Sequence, residues 1–199
     1  MDRRLTARGL ERRRQLMDYS ARLFAQNGYD PTSVAEIVAG MNVGKGVFYW
    51  YFESKESLLL EILAEAQRSL RRRQQNYIAE ESDPVRRIEL GIRATMDWVA
   101  ENRHLWGLFR FAASEERFAP YLRRGQATAI NDVVRHVREA VSQGRVRDTD
   151  PSVLAHAILG VTNQLSGTFL VEQEGSPALV ADAAVAFCLD GLLGVRLPV

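Results

Sequence analysis

The stretch 32–55, TSVAEIVAGMNVGKGVFYWYFESK, limits what this chain can fold into more than any other. Ser33 and Glu36 stand at capping-box spacing, so a helix is predicted to begin at Val34 with two of its orphan amides satisfied. Val34, Ile37 and Val38 give that helix one apolar face, and Ala35 and Ala39 keep its flanks slim. Residues 40–43 break it, and Asn42 sits where the turn calls for positive φ, which Asn tolerates far better than a β-branched residue. A second short helix is predicted over 45–50, with Val43, Phe48 and Tyr51/Phe52 turned inward. Two short helices around a tight turn make a helix-turn-helix, whose second helix can enter a major groove.

The outward side of that second helix is unusual for a solvated surface. Lys45, Gly46, Val47, Tyr49 and Trp50 present a cation, a gap, methyl groups and two large rings. Lys45 and Lys55 are the only two lysines in a chain that otherwise uses arginine. Lys55 follows Ser54, a natural N-cap, so a positive side chain and free helix amides would share one place suited to a phosphate oxygen. The candidate DNA-contact set is therefore Thr32, Ser33, Lys45, Gly46, Val47, Tyr49, Trp50, Tyr51 and Lys55. The competing reading of the same residues is a three-helix core with incidental surface aromatics.

The run GKGVFYWYFESKESLLLEIL resembles the signature of the TetR family of one-component bacterial repressors. There a Lys-Gly-x-φ-Tyr-x-x-Phe recognition helix runs into a Ser-Lys-Glu-x-Leu-Leu start of the next helix. The likeness covers residues 15–63, with Gly44 where the family often has a Ser-like cap and Val47 where a Thr is common. Gly caps a helix only a few tenths of a kcal/mol worse than Ser. The resemblance implies a repressor whose rings at 49 and 50 lie against the sugar-phosphate backbone. It also implies dimerisation through the last two helices and an inducer site among the middle ones.

Composition excludes several other classes. With 199 residues the chain can bury a proper core. It has no apolar run long enough to span a membrane, and its basic start, MDRRLTARGLERRRQ, lacks the apolar centre of a signal peptide. A single cysteine, Cys188, cannot form an internal disulfide and fits a reducing cytoplasm. Net charge is only +1, but residues 1–55 carry nine Arg and Lys against six Asp and Glu, while the rest carries 17 against 19. The positive excess lies on the helix-turn-helix side.

Taken in order, residues 1–9 read as a mobile arm in which Arg3, Arg4 and Arg8 could reach phosphates. A helix over 10–26 follows, stopped by Asn27-Gly28. Residues 54–77 read as one long helix leaving the DNA-binding core, with Leu58, Leu59, Ile62, Leu63 and Ala66 on its first half and Arg71, Arg72 and Arg73 on its second. Caps announce the remainder: Asp83-Pro84, then an aromatic-rich helix over 105–114, one over 120–143, and the Asp150-Pro151 and Ser176-Pro177 starts. No alternating segment appears, so the chain is all-α with about nine helices. Residues 1–54 are assigned to the helix-turn-helix domain and 55–199 to a helical effector-binding and dimerisation domain. Helices 153–170 and 177–193 are apolar on more than one face, which a second copy of the chain would cover.

His104, His136 and His156 are scattered singly, so no metal site is expected, and no cofactor motif is present. Glu115-Glu116 and Asp148/Asp150 read as loop or cap carboxylates, and catalysis is not expected. Met96, Trp98, Trp106, Phe109, Arg110, Tyr121 and Asn163 form the candidate effector-binding set, with Phe111, Thr162 and Gln164 beside them; core packing is the competing role for each aromatic. The function expected is a homodimeric, cytoplasmic regulator that leaves a palindromic DNA operator when a small, largely apolar effector binds. The alternatives are an all-α enzyme or carrier of an apolar metabolite, and a constitutive DNA-binding protein without effector.

Overall fold

Five helices, the first, second, fourth, fifth and eighth in chain order, begin where a side chain stands in for the missing turn of backbone acceptors. In the computed structural model, which describes residues 6–193, α1 spans Ala7–Asn27 because the Thr6 hydroxyl accepts from the Gly9 amide. The helix thus starts three residues before the predicted 10, and it takes Arg8 out of the expected arm; Arg3 and Arg4 lie outside the described residues. Gly28, at φ 87°, ends α1 by donating its amide to the Phe24 carbonyl, a backbone angle that only glycine adopts without strain.

Helix α2 (Val34–Gly40) carries both halves of the predicted capping box: Glu36 N–H donates to Ser33 Oγ at 3.2 Å, and Ser33 N–H to Glu36 Oε2 at 2.7 Å. Asn42 takes the positive φ, 52°, that the turn required. Helix α3 (Lys45–Tyr51) starts from Gly44 without a side-chain cap. Helix α4 (Lys55–Ile78) starts from a reciprocal Ser54/Ser57 pair. Leu16, Ile37, Phe48, Leu58 and Leu59 have no exposed surface and fill the space between α1 and α4. Burial of each stabilises by roughly 1.5–3 kcal/mol.

Next come α5 (Pro84–Glu101), α6 (Arg103–Ser114), α7 (Ala119–Ser142), α8 (Pro151–Leu165) and α9 (Pro177–Leu193). Helix α5 is the centre of this half: it touches α4, α6, α7, α8 and α9. Its sequence explains why, since Ile88, Ile92, Ala94, Met96, Trp98 and Val99 are buried around more than one face. Helix α9 lays Ala181, Ala184, Val185 and Cys188 inward and leaves Leu179 and Phe187 exposed. Among the described residues there are nine α-helices and no strand, and no helix is long and apolar enough to cross a membrane.

One departure from the predicted pattern lies at 166–172. The helix expected over 153–170 changes there to a π-helix, Ser166–Glu172. Ser166 Oγ lies 3.2 Å from the Met96 sulfur, and Gly167 sits against Trp106, whose ring would meet a Cβ at 3.0 Å. The wider turn fits between α5 and α6 because of that missing side chain.

Candidate nucleic-acid interface and cavity

Helix α3 is held by one wholly buried ring and shows the rest outward. Phe48 packs inward with Phe52, their centroids 5.7 Å apart, and the Tyr49 ring meets Phe48 edge-on at 5.3 Å. Tyr49 and Trp50 are each 57% exposed, Lys45 is exposed, and the space around Gly46 is open to 4 Å. Val47 and Tyr51 are half-buried, so each offers only part of its side chain. The outward face is thus Lys45, Gly46, Tyr49 and Trp50, edged by Val47 and Tyr51.

The other three members of the expected contact set have structural tasks. Thr32 is 1% exposed and its hydroxyl donates to the Gly28 carbonyl at 2.7 Å, so its side chain is turned away from any partner. Ser33 is exposed, but its hydroxyl and amide both belong to the α2 capping box. Lys55 has the most such bonds. Its ammonium has three protons, and these face the carbonyls of Tyr29, Asp30 and Thr32 at 2.8, 3.2 and 2.9 Å. The same nitrogen lies 4.3 Å from the Tyr29 ring centroid. Lys55 therefore clasps the α1–α2 loop onto the start of α4, and its charge is directed inward rather than to a phosphate.

A cavity of about 180 Å³ opens between α4, α5, α7 and α8. Each helix contributes a face of residues spaced as helical neighbours: Arg71, Gln74, Gln75 and Ile78 from α4; Ile88, Gly91, Ile92 and Thr95 from α5. Ala129, Asp132, Val133 and His136 come from α7, and Ile158, Leu159 and Thr162 from α8. Arg87 and Arg135 complete the rim. Arg71 Nε and Arg135 Nη2 approach the same carboxylate, Asp132, at 2.9 and 2.5 Å. Arg87 pairs with Glu139 at 3.0 Å and donates its Nε to the Glu81 carbonyl. Burial and the nearby Arg87 and Arg135 guanidiniums hold the His136 imidazole below its ordinary pKa.

None of the seven residues in the expected effector set lines this cavity. Met96 is wholly buried, and Trp98 is buried with its indole N–H donating to Ser69 Oγ at 3.1 Å; both are core residues that flank the cavity-lining stripe of α5. Trp106, Phe109 and Tyr121 are half-buried against the core. Arg110 faces Glu172, and Asn163 is exposed one residue beyond the cavity-lining Thr162. The expected set therefore lies around the cavity wall rather than in it. The sequence signal for the cavity itself is the i, i+3, i+4, i+7 stripe Arg71, Gln74, Gln75 and Ile78, three long polar side chains and one apolar one.

Residues 16–62 match the family model described as bacterial regulatory proteins, tetR family. Over 194 residues the chain is 22% identical to the HTH-type transcriptional regulator YdgC of Bacillus subtilis, covering 95% of this chain and 96% of that protein. Among solved structures it is similar to a putative TetR-family transcriptional regulator from Syntrophomonas wolfei, with a TM-score of 0.82, 25% identity, and 94% and 97% of the two chains covered. The same fold occurs in AibR in complex with isovaleryl coenzyme A and operator DNA, with a TM-score of 0.71, 22% identity, and 92% and 98% coverage.

Proposed function

Because the chain belongs to the TetR family of bacterial regulators, we propose that it is a homodimeric, ligand-released transcriptional repressor. Residues 1–54 form the DNA-reading head, α4 links it to the body, and residues 55–199 hold the effector and the second subunit. The protein works in the cytoplasm and by binding rather than catalysis. The observation that carries this reading is the outward set on α3, Lys45, Gly46, Tyr49 and Trp50, mounted on a buried Phe48. Such a face combines a base-reading cation with aromatic surface for the phosphate backbone.

The dimer follows from the other end of the molecule. Val153, Leu179 and Phe187 are 58%, 71% and 69% exposed on α8 and α9. Large apolar side chains left open on adjacent helices suit an isologous helix-to-helix interface with a second copy. That pairing places two α3 helices for two halves of a pseudo-palindromic operator. An effector in the α4–α5–α7–α8 cavity acts by binding one head spacing more tightly than the other. AibR, bound to an acyl coenzyme A and to operator DNA, supports placing both partners on one chain. A mobility shift of DNA from upstream of the protein's own gene tests the reading: retardation at nanomolar protein that survives excess unrelated DNA is expected. Binding that unrelated DNA competes away equally would contradict it.

A further inference from the structure

The cavity is apolar within and cationic at its mouth, and the two parts bind different chemistry. Inside, three of the polar groups already have partners: Thr95 Oγ1 donates to the Gly91 carbonyl at 2.8 Å, Thr162 Oγ1 to the Ile158 carbonyl at 2.7 Å, and Gln74 Nε2 to Thr95 Oγ1 at 3.0 Å. These hydroxyls make no demand on a ligand, and most of the remaining wall is hydrocarbon, from Ile88, Ile92, Val133, Ile158 and Leu159, with Gln75 and His136 as its other polar members. A dry cavity of about 150 Å³ accepts a benzene-sized body, so the 180 Å³ here takes an apolar group of about six carbons.

The mouth is different. Arg71 and Arg135 share a single carboxylate, Asp132, while Arg87 has Glu139 to itself, so the rim holds one guanidinium more than it has carboxylates. Arg71 Nε is shielded from solvent and, although 2.9 Å from Asp132, lacks the alignment of a hydrogen bond. A cationic donor of this kind beside hydrocarbon is stabilised more by an oxyanion than by a neutral acceptor.

Taking the cavity as the effector site, as proposed above, we infer that the effector is a small organic anion. Its apolar body sits among Ile88, Ile92 and Ile158, and its oxyanion is held by Arg71 and Arg135. The oxyanion is either the carboxylate of a free acid or a phosphate of its coenzyme A thioester; both present the same chemistry to the two guanidiniums.

Calorimetric titration of the full-length protein with hexanoate, octanoate and decanoate, with their coenzyme A thioesters, and with the matching primary amides tests this. One of the two anionic series binds at least about tenfold tighter than the amides, and which series does so identifies the source of the charge. Arg135→Gln, at a side chain 70% exposed and thus safe for the fold, weakens that anion about tenfold, and Arg71→Gln weakens it by as much or more. Asp132→Asn, which removes the competing carboxylate, tightens it. Amides that bind as well as the anions, or no binding by either anionic series, overturns the inference. A mobility shift on the ligand-free protein is run alongside. DNA binding without anion binding refutes the effector class alone, and anion binding without DNA binding refutes the regulator instead.

Discussion

Arg117 reaches back across the molecule to Asp30, its Nη2 lying 3.2 Å from the carboxylate. The same guanidinium bonds Glu56 at 3.1 Å and lies 5.5 Å from the Tyr29 ring and 4.9 Å from Phe118. The α6–α7 loop is thereby tied to the α1–α2 loop and to the first turn of α4. Tyr29 is the buried centre of this junction, 5.2 Å from Phe24, 5.0 Å from Phe111 and 5.8 Å from Phe118. Exposed ion pairs contribute about 0–1 kcal/mol, whereas truncating a buried ring costs about 3–5 kcal/mol. Urea unfolding is expected to show Arg117→Gln within about 1 kcal/mol of the parent and Tyr29→Ala far below it. The Tyr29 hydroxyl is buried without a hydrogen-bond partner, so Tyr29→Phe is expected to match or exceed the parent's stability.

Lys55→Ala separates a clasp from a phosphate contact. Loss of an ammonium bonded to three carbonyls is expected to cost on the order of 1.5–3 kcal/mol. The slope of log affinity for DNA against log salt is expected to stay as in the parent. A fall of about 0.9 per contact, with stability unchanged, would restore the phosphate role.

Specificity is expected to reside at Lys45. Lysine pairs well with guanine O6 and N7, so Lys45→Ala should lose on the order of 1–3 kcal/mol of discrimination at one base per half-site. Trp50→Ala should lower affinity for all operators while keeping their rank. A library of operators with single base changes distinguishes these outcomes. Val47 is half-buried, so Val47→Ala is expected to change preference less than Lys45→Ala does.

Stability should depend on pH through His136. Its imidazole is held below the ordinary value by burial and by Arg87 and Arg135, against smaller opposing effects of Glu139 and Asp132. The unfolded chain therefore takes up a proton more readily than the folded one, and stability is present above the ordinary imidazole pKa of about 6.5 and lost as pH falls through it. Thermal melts from neutral to mildly acidic pH should show a declining Tm, with a shallower decline in His136→Gln. His104 is depressed in the same direction by burial and accounts for part of the residual slope.

Most helix boundaries were legible because the signals were local. Ser33 with Glu36, Ser54, Asp83-Pro84 and Asp150-Pro151 each start a helix where the side chain predicts. What was not legible is what depends on two distant segments meeting. Lys55 looked like a phosphate ligand because nothing in its neighbourhood reveals that the carbonyls of residues 29, 30 and 32 fold back onto it. The cavity escaped notice because its four faces are ordinary taken singly, and its charge excess exists only once Arg71, Asp132 and Arg135 converge. The π-helix at 166–172 answers to the Trp106 ring against Gly167, a contact that no helical period marks.

Two α3 helices, one from each subunit, are expected to read one operator. Hydroxyl-radical footprinting of the protein on its own upstream DNA tests it most directly, with complex mass measured by sedimentation. Protection is expected in two half-sites related by a dyad and centred about one helical turn or a multiple of it apart, with an even number of chains per duplex. Protection with no dyad, or a single chain bound per site, would contradict it.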